Sequence, residues 1–169
     1  FHDPGTFHSK SKKIMVPGDI KGMKIRPAHA TMATWITQLG GTVITKQLAL
    51  LNNVNYNMSG GTTNISGDII VTLYSLGAVT SYVNQSGGTM NASGNLRFAL
   101  YNGNTGVYTL SGGNLNVGGK VNLVGSGTTN AKAYLYLNGG TLTANEIDRD
   151  GDSVGQQTVA ELHFNGGTL

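Results

Sequence analysis

The sequence predicts an all-β fold, a parallel right-handed β-helix (solenoid) with coils of about 26 residues over 42–169, behind an N-terminal strand–helix–strand cap over 1–41. Three observations carry this. First, a motif Tyr-x-x-Ser-Gly-Gly-x-x-Asn stands at Tyr56–Asn64 and Tyr108–Asn116, with looser copies at Val83–Asn91, Leu135–Thr143 and Leu162–Leu169. Its Gly-Gly pairs begin at Gly60, Gly87, Gly112, Gly139 and Gly166, in steps of 27, 25, 27 and 27 residues, and Tyr56, Tyr82, Tyr108 and Tyr134 follow the same beat. Second, apolar and polar residues alternate on either side of each pair, the pattern of a strand with one buried face. Third, a further glycine in each copy precedes another short apolar-rich run, so each repeat holds two to three strands joined by Gly, Asn and Ser turns.

Within a repeat, Tyr56/Met58, Val83/Gln85, Tyr108/Leu110, Leu135/Leu137 and Leu162/Phe164 form the buried face before the glycines. After them, Thr63, Met90, Leu115 and Leu142 point inward, followed by Ile65, Ala92, Val117 and Ala144. The last runs are Ile69-Val71-Leu73, Leu96-Phe98-Leu100 and Val121-Leu123. Leu110, Leu115, Leu137 and Phe164 are the expected core. One such unit cannot bury its apolar face alone, but stacking copy on copy does so. Propeller blades need about 40 to 50 residues and four antiparallel strands, so the shorter period favours the solenoid. The sterics of crossover connections set the right hand.

The cap is read separately. Asp3-Pro4-Gly5 and Pro17-Gly18-Asp19 are turns, and Met23-Lys24-Ile25-Arg26 is a short strand. After Pro27 comes a helix of about 11 residues ending at Leu39, with Met32, Trp35, Ile36 and Leu39 as one apolar stripe. Gly40-Gly41 stops it and also starts the repeat pattern. Ile44, Lys46 and Leu48 then match Leu96, Phe98 and Leu100 when counted back from their Gly-Gly pairs, although Lys46 suits a buried position poorly. The stripe is the expected lid, because an open solenoid end exposes core and strand edges.

Composition narrows the class. Gly makes up 26 of 169 residues but recurs periodically, so it punctuates strands rather than marking disorder. Charged residues are only 11%, leaving a Thr/Asn/Ser surface that suits an extracellular fibre. Cysteine is absent, which excludes a disulfide framework and thiolate metal sites. No apolar run is long enough for a helical membrane span, and no signal peptide is present. The net charge of +3 is uneven: residues 1–46 carry +5 and residues 47–169 carry −2.

Two family resemblances follow from these stretches. YTLSGGNLNVGGKVNLVG and LNGGTLTANEI, with the closing LHFNGGTL, resemble the autotransporter-associated β-strand repeats of bacterial secreted proteins, common among those with PEP-CTERM-type sorting signals. That resemblance covers about 42–169 and implies an exported or cell-surface structural stalk. The segment FHDPGTFHSKSKKIMVPGDIKGMKIRPAHATMATWITQLGGT resembles an internal piece of the periplasmic solute-binding proteins of TRAP transporters. Their Pro-x-Asp-Leu-Lys-Gly-x-Lys-Ile-Arg run stands here as Pro17–Arg26, with Ile20 in place of Leu, and implies a carboxylate-binding role for Arg26. Only about 45 residues of a two-lobed family are matched. The chain begins at Phe1 and stops in mid-repeat at Leu169, so the expectation is a processed product, a fusion or a piece of something longer.

Candidate chemistry is sparse. Asp148, Asp150 and Asp152 alternate like the opening of a calcium loop, but Ser153 and Val159 stand where Gly and Glu are needed, so a solvated loop is the expectation. Asp68 and Glu146 are too far apart in register for an acid–base pair. His2, His8 and His29 lack helical metal-ligand spacing. Lys10, Lys12 and Lys13 read as a solvated basic turn rather than a nucleic-acid contact. The most regular surface feature is an outward ladder of Thr62/Asn64, Thr89/Asn91, Asn114/Asn116 and Thr141/Thr143, which either satisfies the sheet's outer face or binds glycan or ice. The reading is a non-enzymatic, extracellular solenoid without cofactor, with end-to-end self-association, no nucleic-acid partner and no membrane span. The alternatives are a carbohydrate-binding or carbohydrate-active β-helix and a remnant solute-binding protein.

Overall fold

A computed structural model describes residues 13–27, 30–74, 76–124, 128–149 and 157–169. Among the described residues sixteen short strands form three parallel sheets around one core. Sheet A runs β1 (Lys24–Ile25), β2 (Thr42–Thr45), β5 (Thr62–Ile65), β8 (Thr89–Ala92), β11 (Asn114–Val117) and β14 (Thr141–Thr143). Sheet B runs β3 (Leu48–Ala49), β6 (Ile69–Val71), β9 (Leu96–Phe98), β12 (Lys120–Asn122) and β15 (Glu146–Asp148). Sheet C runs β4 (Asn55–Met58), β7 (Thr80–Gln85), β10 (Thr105–Leu110), β13 (Lys132–Leu137) and β16 (Val159–Phe164). The chain visits A, B and C in turn and so builds a β-solenoid of about four turns.

The alternation read from the sequence sets which face is buried. Tyr56, Met58, Val83, Tyr108, Leu110, Leu135 and Leu137 from sheet C meet Met90, Leu115 and Leu142 from sheet A and Ile69, Leu96, Phe98 and Val121 from sheet B. Columns are mostly like for like: Leu115 stacks between Met90 and Leu142, and Leu110 on Leu137, with Gln85 the polar exception on its other side. Coil spacing is regular after the first turn, 27 residues from Thr63 to Met90, 25 to Leu115 and 27 to Leu142.

The Gly-Gly corners between sheets C and A explain that regularity. Gly61, Gly88, Gly113, Gly140 and Gly167 all have φ of +71 to +86, where a side chain is strained. The space is also filled by the coil below. A Cβ on Gly88 would lie 2.6 Å from the Gly61 carbonyl oxygen, and one on Gly140 2.5 Å from that of Gly113. The same carbonyls accept the next ladder bonds, from Thr89 N to Gly61 O and from Thr141 N to Gly113 O, both 2.9 Å. Gly40-Gly41 joins this stack from the cap side. Gly40 (φ +75) ends the helix, Gly41 N–H donates to Ile36 O at 2.9 Å, and Thr62 N–H reaches Gly41 O.

The A–B corner varies by one residue, as between Thr45–Leu48 and Ile65–Ile69, and the rest of the length variation falls at the corner between sheets B and C. Its connections cover 50–54, 72–79, 99–104, 123–131 and 149–158. Every positive-φ residue other than glycine among the described residues, Asn52, Asn53, Thr72, Ala99, Asn130 and Gln157, lies there. Thr72 and Ala99 follow the paired residues Val71 and Phe98, so strands of sheet B end at that bend and Leu73 and Leu100 are only partly buried.

Several expectations are corrected. Helix α1 covers Ala30–Gln38. Its face toward the first coil is Ala33, Ile36 and Thr37, with Met32 and Leu39 at the margins, while Trp35 is 63% exposed. The helix end lies too close to the Gly60-Gly61 backbone for an indole: a Cβ on Gly61 would stand 2.7 Å from Thr37 O. Thr37 tolerates burial because its hydroxyl donates to Thr34 O (2.9 Å) and Ala33 O (3.2 Å). In the first coil Leu48, not Ile44, occupies the column of Ile69 and Leu96; Ile44 pairs with Asn64 on the outer face and Lys46 is on an exposed turn. The first turn spans 20 residues from Val43 to Thr63, so counting back from Gly60 crosses a shorter connection and loses register. Phe164 shares a column with Leu137 but is 55% exposed, because β16 is an edge strand with no described coil over it.

Two substitutions test this packing. Gly88→Ala is expected to destabilise by about 2–4 kcal/mol, from left-handed strain and overpacking. Leu137→Ala is expected to cost about 2–5 kcal/mol through a cavity. Urea titrations followed by circular dichroism check both, and a loss below about half a kcal/mol at either position contradicts the stacking described, given the full burial of Leu137.

Candidate functional site

The outward ladder predicted from the sequence forms on sheet A. Thr62, Thr89, Asn114 and Thr141 share one column, and Asn64, Asn91, Asn116 and Thr143 the next. The asparagines bind one another along the axis: Asn91 Nδ2 donates to Asn64 Oδ1 at 2.8 Å and Asn116 Nδ2 to Asn91 Oδ1 at 2.7 Å. Amide groups engaged in this way hold coil to coil. The same device recurs on sheet C, with Asn84 Nδ2 to Asn57 Oδ1 at 2.9 Å, and after it, with Asn165 Nδ2 to Asn138 Oδ1 at 2.8 Å.

Ionic groups gather on sheet B. Arg97 Nε lies 3.1 Å from Asp68 Oδ2. Lys120 Nζ lies 2.6 Å from Glu146 and 3.7 Å from Asp148. Asp68, Asn95, Lys120 and Glu146 each stand one residue before the column Ile69, Leu96, Val121 and Ile147, so Asp68 and Glu146 are three coils apart, roughly 14 Å at the usual strand spacing. That exceeds the separation at which two carboxyls cooperate on a glycosidic bond, and Lys120 stands between them. Asp148 is engaged with Lys120, while Asp150 and Asp152 of the calcium candidate lie outside the described residues. His2, His8, His29, Lys10 and Lys12 also lie outside them. Among the described residues no three His, Asp or Glu side chains cluster as metal ligands, and no helix is long and apolar enough to cross a membrane.

Arg26 follows β1 and is exposed. It borders an open polar depression of about 620 Å³ with Lys46, Gln47, Ser66 and Asp68. The second lobe of a solute-binding cleft has no counterpart among the described elements. On the other side of the cap, Ile14, Met15, Val16, Pro17, Ile20, Trp35 and Leu39 line an apolar groove of about 410 Å³.

Polar groups also run through the core. Tyr108 Oη donates to Gln85 Oε1 at 2.6 Å, and Gln85 Nε2 donates to Asn114 O at 2.9 Å. Tyr56 Oη and Thr63 Oγ1 are 3.1 Å apart. Gln85 holds a position that is Met58, Leu110 and Leu137 in other coils, so its amide needs these partners. Burial pushes the Tyr108 hydroxyl well above its ordinary value of 10.0, with Tyr56 adding to the rise. Burial raises Tyr56 as well, against the opposing hydrogen bonds of Thr63 and Thr37.

One surface escaped the sequence reading. Tyr56 and Tyr108 point inward, but Tyr82 and Tyr134 point outward on sheet C, in one column with Val107 and Glu161. Tyr56 pairs with Val83 rather than Tyr82, because the coil is 27 residues and the tyrosines are 26 apart. Tyr136 and His163 share the next outer column, stacked with centroids 4.6 Å apart. Comparing this one-residue offset with the Gly-Gly spacing is the signal that would have found the face. Comparisons with protein-family models, curated proteins and solved structures find no match to this chain.

An alkaline titration tests the buried phenols. Both folded-state values lie above the unfolded one, so the stability these groups contribute is complete below about pH 10 and is lost as pH rises through the folded values. The tyrosinate absorbance of Tyr108, assigned by difference against Tyr108→Phe, is expected to emerge only as the sheet circular dichroism collapses.

Proposed function

We propose that this protein is a non-enzymatic structural or adhesive element, a stalk or fibre unit displayed outside a bacterial cell. The observation that carries the reading is the continuous ladder, in which backbone, asparagine amides and core side chains all bond from coil to coil. Such a body transmits load along its axis and adds length by adding coils. The resemblance to autotransporter-associated repeats, the low content of charge and the absence of cysteine support an exported location. The likeness of 17–26 to a solute-binding protein is read as a segment reused in the cap, with Arg26 at its surface rather than in a cleft.

Assembly along the axis is part of this proposal. Leu162, Phe164 and Leu169 expose apolar surface at one end of the described solenoid, and β16 leaves a strand edge open. A further coil of the same pattern completes that end, supplied by a continuing chain or by a second copy. The opposite end carries Lys13, Lys21, Lys24 and Arg26, against Glu146, Asp148 and Glu161 near the open one. A contact between unlike ends extends into a filament and weakens with salt.

Light scattering and electron microscopy of the purified chain test this. End-to-end particles are expected at tens of micromolar protein and low salt, shortening as salt is added. A strictly monomeric particle under those conditions removes self-assembly from the reading. Turnover of a polysaccharide that is lost in Asp150→Ala removes the non-enzymatic part.

A further inference from the structure

We propose that the outer face of sheet C binds a neutral glycan, laid along β10 in a groove between the neighbouring coils. The floor of the groove is Thr105, Val107 and Thr109, the outward residues of β10. On one side stands Tyr82 of β7, 40% exposed, and on the other Tyr134 and Tyr136 of β13. Val107 between Tyr82 and Tyr134 leaves a trough between strands two coil spacings apart, roughly 9–10 Å from centre to centre.

Ring orientation suits a sugar. Tyr136 stacks on His163 of the next coil, centroids 4.6 Å apart and planes 21° from parallel, so its ring stands across the coil axis. Tyr134 lies within 10° of the same plane, with centroids 6.3 Å apart. Both tyrosines therefore turn their other ring face toward the space above β10. The C–H faces of pyranose rings pack against such electron-rich surfaces, while phenol and amide groups meet their hydroxyls. The polar equipment is free: none of the hydroxyls of Tyr82, Tyr134 and Tyr136 hydrogen-bonds to another described residue, whereas buried Tyr56 and Tyr108 are both engaged.

Charge decides the ligand class. The ionic residues around the middle coils pair with one another on sheet B, and the groove walls on β7 and the floor on β10 carry none. Lys132, at the N-terminal end of β13, is the cation at the margin. With Lys132 beside Thr105 as its bordering cation, the middle of the groove around Val107 matches an uncharged saccharide and gives a polyanionic one little compensation for lost hydration. This goes beyond the scaffold reading, since a coil can bear load without binding sugar.

Calorimetric titration of the full chain with cellohexaose, chitohexaose and laminarihexaose tests the inference, with hexagalacturonate as the acidic probe. Saturable binding of at least one neutral probe is expected, weakened at least tenfold in Tyr82→Ala and in Tyr134→Ala and blocked in Val107→Trp, which fills the groove and keeps both tyrosines. Circular dichroism confirms that each variant is folded. No binding of any neutral probe at millimolar concentration overturns the inference, as does binding that survives both tyrosine substitutions or is confined to hexagalacturonate. A failure here, with stacking and axial assembly intact, leaves the scaffold reading standing.

Discussion

The fold depends on a backbone contact. At each corner between sheets C and A, a glycine in the left-handed region lies directly on the glycine carbonyl of the coil below. Only a residue without Cβ allows both the bend and the approach. Because that contact fixes two coils at ladder distance, every strand after the corner arrives in register with its equivalent. The cap obeys the same constraint. Its helix ends on Gly40-Gly41 and brings a small face, Ala33 and Thr37, against the first such corner.

Register then decides what polar side chains do. In a parallel stack each asparagine finds its equivalent about 4.8 Å away, within reach of an amide–amide bond. Asn64, Asn91 and Asn116 therefore hold the coils together rather than standing free for a ligand. Inside, the same logic makes Gln85 tolerable, since Tyr108 of the next coil donates to it and the Asn114 carbonyl accepts from it. Each network crosses between coils, so losing one residue leaves its neighbour's polar group unsatisfied.

The faces outside this frame have separate characters. Sheet B collects ion pairs, sheet A presents a bonded Thr/Asn surface, and sheet C carries tyrosines. The corner between B and C absorbs nearly all the change in coil length and holds the strained residues, including a buried Thr72 whose hydroxyl donates to Thr105 O at 2.7 Å. Variation is permitted there because no Gly-Gly stack repeats from coil to coil among the described residues, while the other two corners keep short connections.

The sequence by itself determined the coil, its period, the parallel stacking and most of the core, because Gly-Gly spacing and period-2 alternation report backbone geometry directly. Leu110, Leu115 and Leu137 were legible for that reason. Tertiary structure decided what depends on neighbours distant in sequence. Tyr82 faces outward and Tyr56 inward because one residue of offset reverses a strand face, and only pairing reveals the offset. Trp35 is exposed and Thr37 buried because the space under the helix is set by glycines of the next coil. Phe164 has the pattern of a core residue, but burial needs a second coil above it, and alternation along one strand says nothing about that.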